Sequence, residues 1–179
     1  MDNSFPTIDT DRFSLRQFES DDLENVYLGL SHPDVIKYYG VSFCSLEAAK
    51  EQISWFRDLE KNNTGIWWAI CSKEDHSFIG AGGLNDIERE HRKAEVGFWL
   101  LPEYWGKGIM KEVMPSICTY GFDKLGILRI EGYVDTENIN CKKGLVSIGF
   151  DFEGTMIDCE IKDGKYISLD IYAMINKES

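Results

Sequence analysis

The stretch Leu100-Leu101-Pro102-Glu103-Tyr104-Trp105-Gly106-Lys107-Gly108-Ile109-Met110-Lys111-Glu112 holds the residues whose spacing points most directly to chemistry. A strand pattern ends, Pro102 punctuates it, a turn with two glycines follows, and a helical apolar period begins near Ile109. Such a turn directs several backbone N–H groups and the positive end of a helix dipole towards one point, which suits a phosphate. Gly106 and Gly108 carry no Cβ and let a ligand come close to that point. The spacing is neither Gly-x-x-x-x-Gly-Lys-Ser/Thr nor Gly-x-Gly-x-x-Gly, so it belongs to neither of those nucleotide loops. An ordinary tight turn between a strand and a helix has the same appearance, and the turn alone leaves both readings open. His32, His76 and His91 stand apart without zinc spacing, so no metal site is expected.

The elements that must position this turn follow from hydrophobic period. Arg12 to Phe18 alternates as a strand, and Ser20-Asp21-Asp22-Leu23-Glu24 opens a helix through about Leu30, with His32-Pro33 as punctuation. A second helix starts near Ser45 on an Ala49, Ile53, Phe56, Leu59 stripe and stops at Asn62-Asn63-Thr64-Gly65. Strands follow at Ile66 to Ile70, Phe78 to Leu84 and Ala94 to Leu101. A helix from about Ile109 to Lys124 presents Met110, Val113, Met114 and Ile117 on one face, although Pro115 inside it should kink it. A strand at Leu128 to Val134 and a helix near Asn140 to Ile148 come next, with Gly149 placed as that helix's C′ residue. Phe152 to Ile161 and Tyr166 to Ile175 form a terminal hairpin around Asp163-Gly164. No repeat or linker divides the chain, so residues 1–179 are expected to form one domain with a mixed α/β sheet.

Lys plus Arg number 19 and Asp plus Glu 31, a net charge of −12. That balance argues against nucleic acid or an anionic membrane as partner and favours a cationic one, with plain solubility as the alternative reading. No apolar run reaches the ~18 residues of a membrane span. Met1-Asp2-Asn3-Ser4-Phe5-Pro6 lacks the basic start and apolar core of a signal peptide. Cys44, Cys71, Cys118, Cys141 and Cys159 are scattered and never form a Cys-x-x-Cys pair, which reads as reduced thiols in a cytoplasm.

Several stretches taken together resemble the GNAT superfamily of acetyl-CoA-dependent N-acetyltransferases, in the branch related to the RimJ and RimL ribosomal-protein N-terminal acetyltransferases. They are Asp11-Arg12-Phe13-Ser14-Leu15-Arg16, Trp68-Ala69-Ile70, Phe78-Ile79-Gly80 and Arg92-Lys93-Ala94-Glu95-Val96-Gly97-Phe98-Trp99-Leu100. To these add Pro102 to Gly108, Asp135-Thr136-Glu137-Asn138-Ile139-Asn140-Cys141, and Ile148-Gly149-Phe150. The resemblance implies the GNAT fold, an α/β (α+β) sheet, mixed but mostly antiparallel, with two central splayed parallel strands flanked by helices. It implies acetyl-CoA as co-substrate, its pyrophosphate on the backbone amides of Trp105, Gly106, Lys107, Gly108, Ile109, Met110 and Lys111. Phe98, Trp99 and Leu100 fall on the strand that pairs with the pantetheine arm, and Asn138 matches an Asn near that arm. Lys142 or Lys143 can approach the nucleotide phosphates or simply face solvent.

Glu95 matches a family carboxylate and is expected as the base that takes the amine proton, while Cys141 replaces a common Ser proposed to serve the leaving thiolate. A strand-end charge and a small packed thiol are the respective alternatives. Met110, where the family has Gly or Ala, must turn its side chain away from the phosphates. The segment from His32 to Ser45 is expected to wall the acceptor pocket, with Tyr38, Tyr39 and Phe43 against an acceptor stem and Asp21, Asp22 and Glu24 setting a negative field. The acceptor is expected to be a protein or peptide N-terminus, with a polyamine or aminoglycoside as alternative, in a monomer or homodimer. A sensor that binds acetyl-CoA without turnover is the reading from another class.

Overall fold

The structure is a computed structural model that describes residues 4–177, so Met1-Asp2-Asn3 of the opening stretch lie outside the described residues. In chain order the strands are β1 (Ile8–Asp9), β2 (Phe13–Arg16), β3 (Ile66–Ser72), β4 (Phe78–Glu88), β5 (Lys93–Leu100), β6 (Arg129–Asp135), β7 (Asp151–Lys162) and β8 (Lys165–Ile175). The α-helices are α1 (Leu23–Ser31), α2 (Pro33–Ile36), α3 (Leu46–Asn62), α4 (Ile109–Leu125) and α5 (Ile139–Ser147). The strands form one sheet in the order β1-β2-β3-β4-β5-β6-β8-β7. Every neighbouring pair is antiparallel except β5 and β6.

The sequence places caps where helices begin and end. Ser45 Oγ accepts from the Ala48 amide at 3.1 Å to start α3, and Asn63 ends it in the left-handed region. α2 is the element that periodicity does not announce. His32-Pro33, read as punctuation, begins it, with Pro33 at its first position and His32 Nδ1 accepting from Asp34. α4 continues through Pro115, whose missing N–H leaves the Lys111 carbonyl without its usual partner four residues on.

Both faces of the sheet are covered. On one, α4 and α5 pack Val113, Ile117 and Leu145 against Leu15, Trp68, Ile70 and Ile130. On the other, α1 and α3 pack Leu30, Ile53 and Phe56 against Trp67, Ala69 and Trp99. Trp67 and Trp68 are neighbours in β3 and therefore serve opposite cores. Asp22, expected on an acidic surface, is instead buried and held by Arg16 through two bonds of 2.7 and 2.9 Å. Its charge is thereby neutralised and contributes nothing to a field at the surface.

The break in this fold lies between β5 and β6. They pair only at Lys93↔Arg129, Ala94↔Ile130 and Glu95↔Glu131, after which β5 continues along β4 and β6 along β8. The two parallel strands diverge into a V whose opening faces the N-terminus of α4. No helix among the described residues is long and apolar enough to cross a membrane.

Candidate active site

Gly106 and Gly108 have φ of +72° and +74°, a backbone region that costs a residue with a Cβ but not glycine. They turn the chain from a short 3-10 turn at Pro102–Tyr104 into α4. Among the described residues, the amides from Gly106 to Lys111 have no acceptor within the protein, so they converge as free donors at the helix start. Trp105 departs from the expected set. Its amide donates to the Pro102 carbonyl at 3.1 Å and its indole to the Leu100 carbonyl at 3.0 Å, which brace the turn and leave it no amide to offer. Met110 turns to Gly144 of α5, where its sulfur occupies the space a Cβ would take.

Two residues that spacing could not reveal hold this turn. Arg12 donates from both terminal nitrogens to the Lys107 carbonyl at 3.2 Å and from Nε to Glu112 at 2.6 Å. Glu112 also accepts from the Arg12 amide and the Thr10 hydroxyl. Arg12 and Glu112 are 100 residues apart in sequence, so only the β2–α4 packing joins them.

The Leu101 amide bonds to the Ile79 carbonyl, which sets the alternation along the β4–β5 ladder. In an antiparallel pair the groups of alternate residues point to opposite sides. Glu95, Gly97 and Trp99 therefore direct their backbone groups to β4, while Phe98 and Leu100 turn theirs into the V. Trp99 thus falls out of the expected strand edge, and its side chain packs over Gly29 of α1. Phe98 keeps both of its backbone groups free there, and Leu100 its amide.

At the V lies a cavity of about 320 Å³. Val96, Phe98, Met110, Val134, Asn138 and Cys141 line the side nearer α4 and α5, and Tyr38, Tyr39, Trp55, Trp67, Asn85 and Glu95 line the other. Gly97 is needed here because a Cβ would lie 2.3 Å from the Trp67 ring. Of the aromatic residues expected against an acceptor, Tyr38 and Tyr39 reach the cavity, whereas Phe43 packs against the α1–α3 core.

Glu95 is half-buried, and no hydrogen bond or ion pair reaches its carboxyl among the described residues. Burial, reinforced by the charges of Asp86, Glu131 and Glu160, raises its pKa from 4.5 to about 7. These three carboxylates, rather than Asp21, Asp22 and Glu24, are the negative groups that bear on the expected base. Burial, with the Glu95 charge added, also pushes the Tyr39 phenol above its ordinary range.

Across the cavity, Asn138 Oδ1 accepts from the Cys141 amide at 3.1 Å and caps α5. Its oxygen is thereby engaged and its amide nitrogen remains available. Burial pushes the Cys141 thiol up to about 11, against the lowering expected of a helix start. Lys142 is committed to buried Asp170 at 2.7 Å and has no free charge for a phosphate. Among the described residues no group of three or more metal-binding side chains comes together.

Known proteins share this fold. A family model described as an acetyltransferase (GNAT) domain matches residues 12–151. The N-acetyltransferase YoaA of Bacillus subtilis, whose own activity is uncharacterised, is 33% identical over 172 residues, covering 96% of this chain and 97% of YoaA. The spermidine N(1)-acetyltransferase of Escherichia coli is 26% identical over 160 residues, covering 85% of this chain and 80% of that enzyme. The solved structure of RimL, a ribosomal L7/L12 alpha-N-protein acetyltransferase holding coenzyme A in a disulfide to a cysteine, superposes with a TM-score of 0.85. It is 20% identical and the match covers 95% of this chain and 98% of RimL, a likeness that speaks to the fold.

Proposed function

The chain belongs to the GNAT acetyltransferase family and is an acetyl-CoA-dependent N-acetyltransferase; we propose that its acceptor is the α-amine of a protein or peptide N-terminus, deprotonated by Glu95. The observation that carries this reading is the Glu95 carboxyl, unpaired in the cavity wall with a pKa near 7. A general base works best with a pKa near the operating pH, and the cost of taking a proton grows as the pKa of the acid that holds it rises above that of the base. An α-ammonium group has a pKa of about 7.7–8.0, whereas a side-chain-like alkylammonium lies near 10.4. Glu95 is matched to the first within about one pH unit.

Acetyl-CoA supplies the acetyl group as a thioester. The residues present suit it: free amides from Gly106 to Lys111 for the pyrophosphate, and the free edge of Phe98 and Leu100 for the amides of the pantetheine arm. Tyr38 and Tyr39 guide the amine stem to Glu95, which receives the proton on its carboxylate. Cys141, neutral because burial keeps its thiol protonated, donates its Sγ proton to the departing thiolate and is reprotonated through solvent, while Glu95 releases the proton taken from the amine. RimL's cysteine-bound CoA supports a thiol within reach of the CoA sulfur in this fold. Because positioning supplies much of the rate, the loss of either side chain lowers turnover without abolishing it.

The relation to spermidine N(1)-acetyltransferase favours a second acceptor class, a polyamine. CoA release measured with peptides bearing free N-termini, spermidine, spermine and an aminoglycoside separates the readings. The proposal expects the highest kcat/KM with a peptide; a polyamine or aminoglycoside ahead of every peptide overturns it. Acetyl-CoA binding with no turnover of any amine would return the chain to a sensor role.

A further inference from the structure

The segment that carries Tyr38 and Tyr39 is held weakly by its own chain. α2 has four residues, too few to persist alone. After Lys37, the amides up to Ser45 make two backbone bonds among the described residues, Tyr39 to Ile36 and Phe43 to Leu30. Tyr38, Tyr39, Gly40 and Val41 nevertheless form one wall of the cavity.

A residue more than 120 positions away supplies what is missing. Lys162 Nζ donates to the carbonyls of Ile36 at 2.6 Å, Lys37 at 2.7 Å and Tyr39 at 2.9 Å. An ammonium group has three donors, and here each has a backbone acceptor. Lys162 is also mounted firmly. It is the last residue of β7, paired with Lys165 across Asp163-Gly164, whose φ values of +50° and +75° belong to a tight hairpin turn. Through β8 that hairpin is bonded to all of β6, whose Tyr133, Val134 and Asp135 form the facing wall of the cavity.

We propose that Lys162 is a positioning residue for the acceptor, tying the Tyr38–Val41 wall to the β6 side so that the amine is held at Glu95. The role rests on the reading above, in which this wall receives the acceptor. Burial lowers the pKa of this ammonium, against the charges of Asp163, Asp135 and Glu160, which raise it. Removing it leaves three carbonyls without a charged donor and frees the wall from the hairpin. Because the phosphate turn lies on other elements, the donor side should not respond.

Lys162→Met keeps the stem and removes the donors, Lys162→Gln keeps a single polar head, and Lys162→Arg restores a long cation. Steady-state kinetics would use acetyl-CoA with spermine and with a short peptide bearing a free N-terminus, alongside amide hydrogen exchange over residues 37–43. In Lys162→Met the acceptor KM should rise roughly ten- to a hundredfold, the scale of hydrogen bonds to a charged group. The acetyl-CoA KM should stay within about twofold, exchange over 37–43 should quicken about tenfold or more, and Lys162→Arg should recover most of both losses. Lys162→Gln should fall between, and it decides the matter if the Met variant does not fold. Unchanged exchange and unchanged acceptor KM in a folded variant would overturn the proposal. So would an equal rise in both KM values with a fall in Tm, which is the mark of general loosening. If the parent acetylates neither probe, the acceptor reading fails on its own, and exchange still decides whether the tie exists.

Discussion

Glu95→Gln should make this protein more stable and less active in one step. The carboxyl has no partner in its half-buried wall and faces Asp86, Glu131 and Glu160, so its pKa rises from 4.5 to about 7. Between those values the folded chain holds a proton that the unfolded chain has released, so stability falls as pH rises through this window. At about 1.36 kcal/mol per pH unit, the interval from 4.5 to about 7 sets a ceiling of about 3.4 kcal/mol. Solvent entering the open cavity screens part of that, leaving about 1–2 kcal/mol. In a chain of 179 residues 1 kcal/mol moves Tm by about 2–4 °C, so Gln should raise Tm by roughly 2–8 °C near pH 8. Near pH 4, where the parent carboxyl is itself protonated, the two proteins should melt within about 1 °C of each other. Meanwhile kcat near pH 7 should drop about a hundredfold or more and recover partly at higher pH, where more amine is already neutral. Calorimetric scans across this pH range, paired with CoA-release rates, test both halves. A Tm difference that is the same near pH 4 and near pH 8 would refute the claim that Glu95 is a strained carboxylate.

Acetyl-CoA should raise the parent Tm, and Gly108→Glu should abolish that rise by placing a carboxylate and a Cβ where φ is +74° and phosphate is expected; a retained shift in the folded variant would move the phosphate elsewhere. Cys141→Ser should keep kcat, while Cys141→Ala should lose about tenfold if the neutral thiol donates a proton. Equal kcat in all three proteins would make Cys141 a packing residue. Asp22→Ala should cost about 3 kcal/mol by removing the buried partner of Arg16 and leaving it only Glu19 at 4.0 Å, lowering Tm by roughly 6–12 °C with the acetyl-CoA-induced shift intact; a Tm within about 1 °C of the parent would show that the pair contributes little.

What the sequence disclosed about the fold was whatever is local. The Ser45 cap, the Asp163-Gly164 turn, Gly149 after α5 and the apolar stripe of α3 each encode an element within a few residues, and the structure has those elements. α2 escaped because four residues cannot show a helical period, and its Pro33 start looks the same as a break. The site divides in the same way. The Gly106–Gly108 turn is contiguous and could be read as a turn, whereas the alternation that removes Trp99 depends on register with β4, which no single strand reveals. Asp22 appeared to be a surface acid until Arg16 closed on it, and Lys142 a free cation until Asp170 did. Lys162 carried no signal at all, since its three acceptors are carbonyls more than 120 residues away.

The dependence of kcat/KM on pH, for the parent and for Glu95→Gln with the same amine, tests most directly whether this cavity carries out the transfer. With Glu95 as base, the parent should show an acidic limb with an apparent pKa near 7, superimposed on the ionisation of the amine. The variant should lack that limb and climb only as the amine itself becomes neutral. A limb of the same position and amplitude in both proteins would contradict the assignment and place the base elsewhere.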